Sequence, residues 1–418
     1  MQRTVVLLAL GSRGDIQPCV ALGRELTARG HRVRLIAAAR YAPLIDAAGL
    51  ESAPLSVDPG DLLATEEGQR LLAGGRNPVR FLRNFRRILG PLAERLLGEI
   101  LDGAKGADVV LAPTAGALGE HLGEHLGVPS ALIHYQPSHP TGAFPHPLLP
   151  QARFLGRRGN EWSFRLVDQI AWQLARTFLN DWRRSALGLP PEPLRGPMHR
   201  MRREGRPVLC CFSTTLVPRP PDWPENVHVT GYWFVDEPDY RPPKELAAFL
   251  EAGPKPVYVG FGSMVPSDPA RTHKLVVAAL RAARVRGVVQ GDPRHGFPGA
   301  DDVLVVGDVP HSWLFPRMAA VVHHGGAGTT AAGLRHGVPT VVCPFFGDQP
   351  YWGERVAAMS AGPAPLPFRS LTADSLADAI RQALKDPAIQ TGAYRVGDRL
   401  IQEKGAAKAA DIVESLLP

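Results

Sequence analysis

The sequence predicts an α/β protein made of two doubly wound, parallel-sheet domains, and three observations carry that expectation. At 418 residues the chain exceeds one ordinary core and suits two domains, each burying a core of its own. Short apolar runs alternate with helical stretches in two separate series. Between the series lies FVDEPDYRPPKE, rich in proline and acid, with the composition of a linker.

In the first series a strand over residues 4–10 leads into a helix over about residues 18–29, with proline near its first turn and Gly30 just past its last. Further strands are expected at 33–37, 109–112, 130–134 and 207–212. Between residues 141 and 201 a proline-bearing loop gives way to helical sequence with Trp162, Phe164, Trp172, Phe178 and Trp182. These aromatics either line an apolar pocket or pack the domain's core. The second series places strands at 256–261, 285–290, 303–306, 319–323 and 340–343, each followed by a turn or helix. The expected divisions are a first domain over residues 1–231, a linker over 232–254, a second domain over 255–400 and a tail over 401–418. In that tail an amphipathic helix over 406–417 is expected to pack back toward the first domain.

A content of 44% apolar and 21% charged residues is that of a globular protein. No stretch approaches about 20 uninterrupted apolar residues, and the chain begins without a cleavable signal pattern, so a cytoplasmic location is expected. Cys19, Cys210, Cys211 and Cys343 lack metal-ligand spacing and read as reduced core residues. The net charge of +7 is uneven, with arginine dense between Arg76 and Arg206. Arg80, Arg83 and Arg87 recur at helical spacing, followed by Arg157, Arg158, Arg183, Arg184, Arg202 and Arg203. Such a stretch is either a peripheral contact with anionic lipid or a solvated helix face. Nucleic acid is not an expected partner, because no basic stripe is interleaved with aromatics.

The most informative segment is VVHHGGAGTTAAGLRHGVPTVVCPFFGDQPYWGE, residues 321–354. An apolar strand, a glycine-rich turn and a helix start follow one another in it. Glycines let backbone approach an anion, and the first N–H groups of the helix lack intrahelical partners, so the turn suits phosphate. His324 adds a side-chain donor, and Thr329 and Thr330 add hydroxyls. After the next strand, Asp348 and Gln349 place a carboxylate and an amide where α/β sheets bind ligands, a pair suited to sugar hydroxyls. Phe261-Gly262-Ser263-Met264 offers another phosphate contact, and the stretch from Gly307 could grip a base through main-chain atoms around Val309 with Trp313 nearby. In the first series, Gly11-Ser12-Arg13-Gly14-Asp15 follows a strand. A carboxylate at Asp15 is either a proton acceptor held ionised by the helix terminus or a structural cap. His31, His121, His125 and His134 have no evident partner in the sequence. Gly326, Gly328 and Ala331 also satisfy a dinucleotide pattern, but it comes late in its domain and lacks an acid at the tip of the next strand; no P-loop is present.

These motifs resemble the UDP-glycosyltransferase superfamily, and most closely its sterol glucosyltransferase-like branch. The resemblance runs over nearly the whole chain through GSRGDIQP, TGYWFVDEP, FGSM and the glycine-turn segment, which is also similar to bacterial transferases that glycosylate antibiotics. It implies the GT-B fold, two Rossmann-like domains facing each other across a cleft. It implies that the histidine matching His324 binds the diphosphate, with Gly326, Gly328 and Thr329 as further phosphate contacts and Asp348 and Gln349 on the sugar. Ser263, Val309 and Trp313 fall on donor-side positions, as do Ser12, Arg13 and Gly14, and Asp15 matches the proposed base. The implied activity is inverting transfer of a hexose, glucose from UDP-glucose above all, to an apolar small-molecule hydroxyl. No metal and no cofactor is implied; the nucleotide sugar is a co-substrate. Because no lipid-binding extension precedes Met1, a flavonoid or polyketide acceptor stands beside a sterol. A deoxysugar on thymidine diphosphate, an epimerase-type enzyme of the same architecture and a non-catalytic nucleotide-sugar binder are the alternatives.

Overall fold

The computed structural model describes residues 1–57, 92–114, 117–237, 239–262, 269–292 and 302–417. The chain forms two compact units, one of Met1–Phe212, Arg219–Trp233 and Lys404–Pro418, the other of Ser213–Pro218 and Phe234–Glu403. Each is built on one parallel sheet.

The first unit holds β1 (Thr4–Leu8), β2 (Arg32–Ala38), β3 (Glu51–Leu55), β4 (Val109–Pro113), β5 (Ser130–His134), β6 (Val208–Cys210) and β7 (Val227–Val229), in the order β3-β2-β1-β4-β5-β6-β7. Val5 to Leu8 are fully buried, as a central parallel strand covered on both faces requires. Strands β3 and β7 have no counterpart in the sequence reading. Both are sheet edges: β3 is mostly half-exposed and contains Pro54, and β7 has three residues, so neither shows a continuous apolar run. Helices of this unit among the described residues include α1 (Arg13–Ala28), α2 (Ala42–Ala47), α3 (Leu118–Leu126), α4 (Gly156–Ser185) and α5 (Pro197–Arg203). Helix α1 starts five residues before the expected position because Ser12 caps it, with Pro18 inside the helix. On α4, Trp172 and Trp182 are buried among Val6, Leu8, Val110 and Ala112, and Phe164 is buried against Phe144 and His146. Core packing is therefore what these three aromatics do, while Trp162 stands in solvent. Phe178 is half-buried. The four cysteines are free and buried.

The second unit holds β8 (Val257–Gly260), β9 (Gly287–Gln290), β10 (Val303–Val306), β11 (Ala320–His323) and β12 (Thr340–Val342), in the order β10-β9-β8-β11-β12. Its helices are α6 (Lys244–Glu251), α7 (Pro269–Ala283), α8 (His311–Leu314), α9 (Ala327–Arg335), α10 (Gln349–Ala358), α11 (Ala373–Lys385) and α12 (Pro387–Ile401). Helix α6 lies inside the stretch of linker composition. One core packs Val257, Val259, Val322 and Val341 against α7 and α11. Strand order reverses between β1 and β4 in the first sheet and between β8 and β11 in the second, and such points open a crevice at the strands' carboxyl ends. The loops carrying Asp15 and His324 follow β1 and β11.

The last helix, α13 (Gly405–Leu416), belongs to the first unit and packs on α1. Arg29 donates to Asp411 at 2.6 Å, Glu414 at 2.8 Å and the Ala407 carbonyl at 3.1 Å, and His31 meets Glu414 at 3.1 Å. Gly405 enters this helix against backbone: a Cβ there would fall 2.3 Å from the Tyr232 carbonyl oxygen and 2.7 Å from the Gly231 carbonyl carbon. Backbone cannot rotate away as a side chain can. Gly405→Ala is therefore expected to cost about 1–3 kcal/mol through overpacking, read as a lowered unfolding temperature and faster proteolytic release of the last helix.

Candidate active site

In the second unit the chain leaves β11 at His323 and reaches α9 through His324, Gly325 and Gly326. Gly325 takes φ 92°, and its N–H donates to His323 Nδ1 at 2.8 Å. A Cβ on Gly325 would lie 2.6 Å from Val342 Cγ1, so the turn needs glycine for both shape and space. His323 is fully buried, and burial first, then His324 and His311, keep its ring neutral. Accepting at Nδ1 puts its proton on Nε2.

Gly326 caps α9 with no side chain, so nothing of its own covers the first N–H groups. A Cβ on Gly328 would meet nothing within 4 Å, so the first turn is open beside Gly328. Thr330 does not face that space: it is buried, and its hydroxyl donates to the Gly326 carbonyl at 2.9 Å. Thr329 is half-buried.

The His324 ring is wedged between two glycines. A Cβ on Gly262 would lie 2.9 Å from its Cε1, and one on Gly326 would lie 2.5 Å from its Nε2. Burial pushes its pKa down to about 4, so at neutral pH the ring is uncharged and donates through one nitrogen. Its Nδ1 is buried without a hydrogen-bond partner. Gly262 also lines a 310 Å³ cavity at the carboxyl ends of β8, β9 and β10, bounded by Phe261, Thr272, Gln290, Gly307 and Asp308. Cavity, Gly262, His324 and the start of α9 thus form one continuous feature of the second unit.

Other second-unit residues named from the sequence are placed as follows. Asp348 stands at the N-cap position of α10 without a side-chain capping bond, and it accepts from Trp352 Nε1 at 2.7 Å; burial raises its carboxyl pKa, with the Trp352 bond acting against that shift. Gln349 is buried, and its amide oxygen accepts from the Phe345 and Phe346 N–H groups at 2.8 and 3.3 Å. That oxygen holds the turn that presents Asp348. Val309 belongs to the core around Phe315 and Met318, so its side chain is not offered to a ligand. Trp313 is half-buried between Tyr240, 5.4 Å away ring to ring, and the Arg317 guanidinium at 4.1 Å. Ser263 lies outside the described residues, as do Arg80, Arg83 and Arg87.

In the first unit, Asp15 lies inside the first turn of α1 rather than before it. Its Oδ2 accepts from Ser12 N–H at 2.8 Å and Ser12 Oγ at 3.3 Å, while Ser12 Oγ accepts from Gly14 N–H at 3.3 Å. This reciprocal cap satisfies helix-start donors. A Cβ on Gly11 would sit 2.3 Å from Asp15 Oδ2, so glycine there makes room for the carboxylate. Arg13 is half-buried and Gly14 exposed. Sequence reasoning missed Tyr135, which directly follows β5 and donates from its hydroxyl to the Asp15 carbonyl at 3.0 Å while meeting Cys19 Sγ at 3.2 Å. Its place just past a central strand was the available signal.

The histidines without evident partners divide by environment. His121 meets Arg183 at 2.9 Å, and His125 Nδ1 meets the Leu187 carbonyl at 2.8 Å. His134 is buried with both ring nitrogens unpaired, and its pKa is lowered to about 3 by burial first. His121, Glu124 and Glu192 are spaced for a cation, but Arg183 and Arg200 pair with both carboxylates and supply the positive charge there.

With this geometry in view, residues 5–145 match the glycosyltransferase family 28 N-terminal domain, and residues 294–416 match the C-terminal domain of erythromycin biosynthesis protein CIII-like chains. The chain is 36% identical over 427 aligned residues to a sterol 3-beta-glucosyltransferase of Arabidopsis thaliana, covering 99% of this chain and 68% of that one. It is 38% identical over 425 residues to O-mycaminosyltylonolide 6-deoxyallosyltransferase of Streptomyces fradiae, covering 98% and 96%. The solved glycosyltransferase of kitacinnamycin superposes over the full length of both chains with a TM-score of 0.69 at 22% identity. The protein is a glycosyltransferase of the GT-B fold. It belongs to the UDP-glycosyltransferase superfamily, in the reach of that family that holds sterol glucosyltransferases and antibiotic glycosyltransferases.

The buried histidines fix an acid limit. His134, His139, His146 and His324 have folded pKa values lowered to about 3, 4, 4 and 4, each chiefly by burial. The unfolded chain, with pKa near 6.5, binds more protons throughout that window, so stability is full above about pH 6.5 and falls as the pH drops toward 4. Urea midpoints measured at about pH 7 and pH 5 should differ in that direction; a higher midpoint at the lower pH would contradict it.

Proposed function

We propose that the protein transfers a hexose, glucose in preference, from UDP-glucose to a hydroxyl of an apolar small molecule such as a sterol, flavonoid or polyketide, with inversion at the anomeric carbon. The observation that carries this reading is the wedged, neutral His324 beside the uncapped start of α9. A diphosphate there takes hydrogen bonds from the ring and from the N–H groups of Gly328 and Thr329, and meets the positive end of the helix dipole. The adjoining 310 Å³ cavity, with the main chain at Val309, receives the nucleoside. Asp348, steadied by Trp352 and by the Gln349-held turn, takes sugar hydroxyls.

Asp15 is the base in this scheme. Ser12 binds its Oδ2 through both N–H and Oγ, which sets the direction of the carboxylate. The acceptor hydroxyl gives its proton to Asp15 as its oxygen forms a bond to C1. The C1–O bond to the diphosphate breaks in the same step, and His324 with the helix-start amides stabilises the charge left on the diphosphate.

Incubation with UDP-glucose and a panel of apolar alcohols should give products heavier by one hexose in mass spectrometry, and dTDP-glucose should be the poorer donor. Preference for dTDP-sugars would move the donor assignment to thymidine diphosphate, the main alternative. Asp15→Asn keeps an oxygen for the Ser12 cap and removes the proton acceptor, so kcat should fall about 10²- to 10⁴-fold with UDP affinity preserved; unchanged turnover would remove Asp15 from the mechanism. His324→Ala should weaken UDP binding about ten- to a hundredfold, the loss of a hydrogen bond to a charged group, and calorimetry showing normal affinity would contradict the diphosphate assignment.

A further inference from the structure

One surface of the first unit takes no part in the chemistry above. Large apolar side chains stand in solvent along it: Phe154 is 78% exposed, Leu155 67%, Trp162 53% and Leu194 64%. Leu194 is held there, since Gln169 and Gln173 of α4 both donate to its carbonyl at 2.9 Å. Arginines are interleaved with these side chains. Between residues 148 and 167 the chain carries Arg153, Arg157, Arg158 and Arg165 against one acid, Glu161. All four arginines are exposed.

Helical spacing sets Arg158, Trp162, Arg165 and Gln169 on one side of α4. Arg165 and Gln169 also line a 440 Å³ cavity between α4 and α5 to which Arg195 and Arg203 contribute. Among the described residues, Arg158, Arg195 and Arg203 have no carboxylate partner, and Arg165 has only Glu161 at 3.9 Å. By contrast, Arg183 and Arg202, from the same arginine-dense stretch, are committed to Glu124 and Asp168 inside the unit. Arginine density in the sequence therefore separates into internal ion pairs and an outward set left for something else.

We propose that this face docks the protein on an anionic phospholipid bilayer. Phe154, Leu155 and Trp162 enter the headgroup boundary, and Arg158, Arg165, Arg195 and Arg203 meet lipid phosphates. Charge complementarity selects the occupant: guanidinium groups recognise phosphate through paired donors, and aromatic rings beside them suit a layer that is apolar at one depth and charged at the next. No described helix is long and apolar enough to cross a membrane, so the contact is peripheral. The proposal is independent of the donor and of Asp15.

Vesicle flotation tests it, with phosphatidylcholine alone, with phosphatidylcholine plus phosphatidylglycerol, and with the second mixture at raised salt. Binding is expected on the anionic vesicles and should weaken with salt. Arg158→Gln and Arg165→Gln should each lower partition about fivefold, and Trp162→Ser should lower it further. Arg395→Gln, an exposed arginine of the second unit, should leave it unchanged. Melting curves of these surface variants, expected to match the parent chain, verify folding. Equal partition onto neutral and anionic vesicles, no partition, or arginine variants that behave like Arg395→Gln would overturn the proposal. So would sedimentation showing a dimer that Trp162→Ser dissolves, which would give the face to a second copy of the chain.

Discussion

The steric constraint on which the second unit's candidate site depends is the passage of the His324 ring between two backbones. Gly262 and Gly326 leave no room for a Cβ on either side of it, and they belong to the loops after β8 and β11, the two strands flanking the reversal of strand order. Locking one ring between those loops fixes the distance from the cavity to the helix start. The same burial that positions the ring keeps it uncharged. In the proposed reaction it serves as a directed hydrogen-bond donor rather than as a cation, beside the positive end of the α9 dipole. His323, one residue earlier, shapes the turn by accepting from Gly325 and takes no outward role.

In the first unit the corresponding position is held by a different device. Asp15 closes a capping box with Ser12, and Tyr135 fastens its carbonyl from the end of β5. The cap is what the structure shows of this carboxylate: Ser12 binds its Oδ2 through both N–H and Oγ. A carboxylate held in this way has a fixed direction, which a base needs more than it needs freedom.

Burial and charge are divided with similar economy elsewhere in the first unit. Arg183 and Arg200 hold Glu120, Glu124 and Glu192 in an internal network, and removing one member would leave a buried charge unmatched. Arg158 and Arg165 of α4, which take no part in that network, lie about a turn to either side of the exposed Trp162. Polar groups in this unit thus serve either to join its helices or to mark an outer face.

The sequence by itself determined the two parallel α/β sheets, the strands at residues 130–134 and 303–306, the glycine turn and its family, because apolar period and turn glycines are local properties. It could not show β3 or β7, whose short, half-exposed or proline-bearing residues become strands only by pairing along a sheet edge. Nor could it divide Trp162 from Trp172, or Arg158 from Arg183, since each pair is identical in type and both members fall in one stretch of chain. Which of them is buried depends on the neighbours that distant strands and helices bring up. Only the folded structure decided that Thr330 serves its own helix and that Gln349 spends its oxygen on a turn, because each side chain had several partners open to it that sequence does not rank, and that His324 is neutral, because its desolvation comes from residues far apart in sequence such as Gly262.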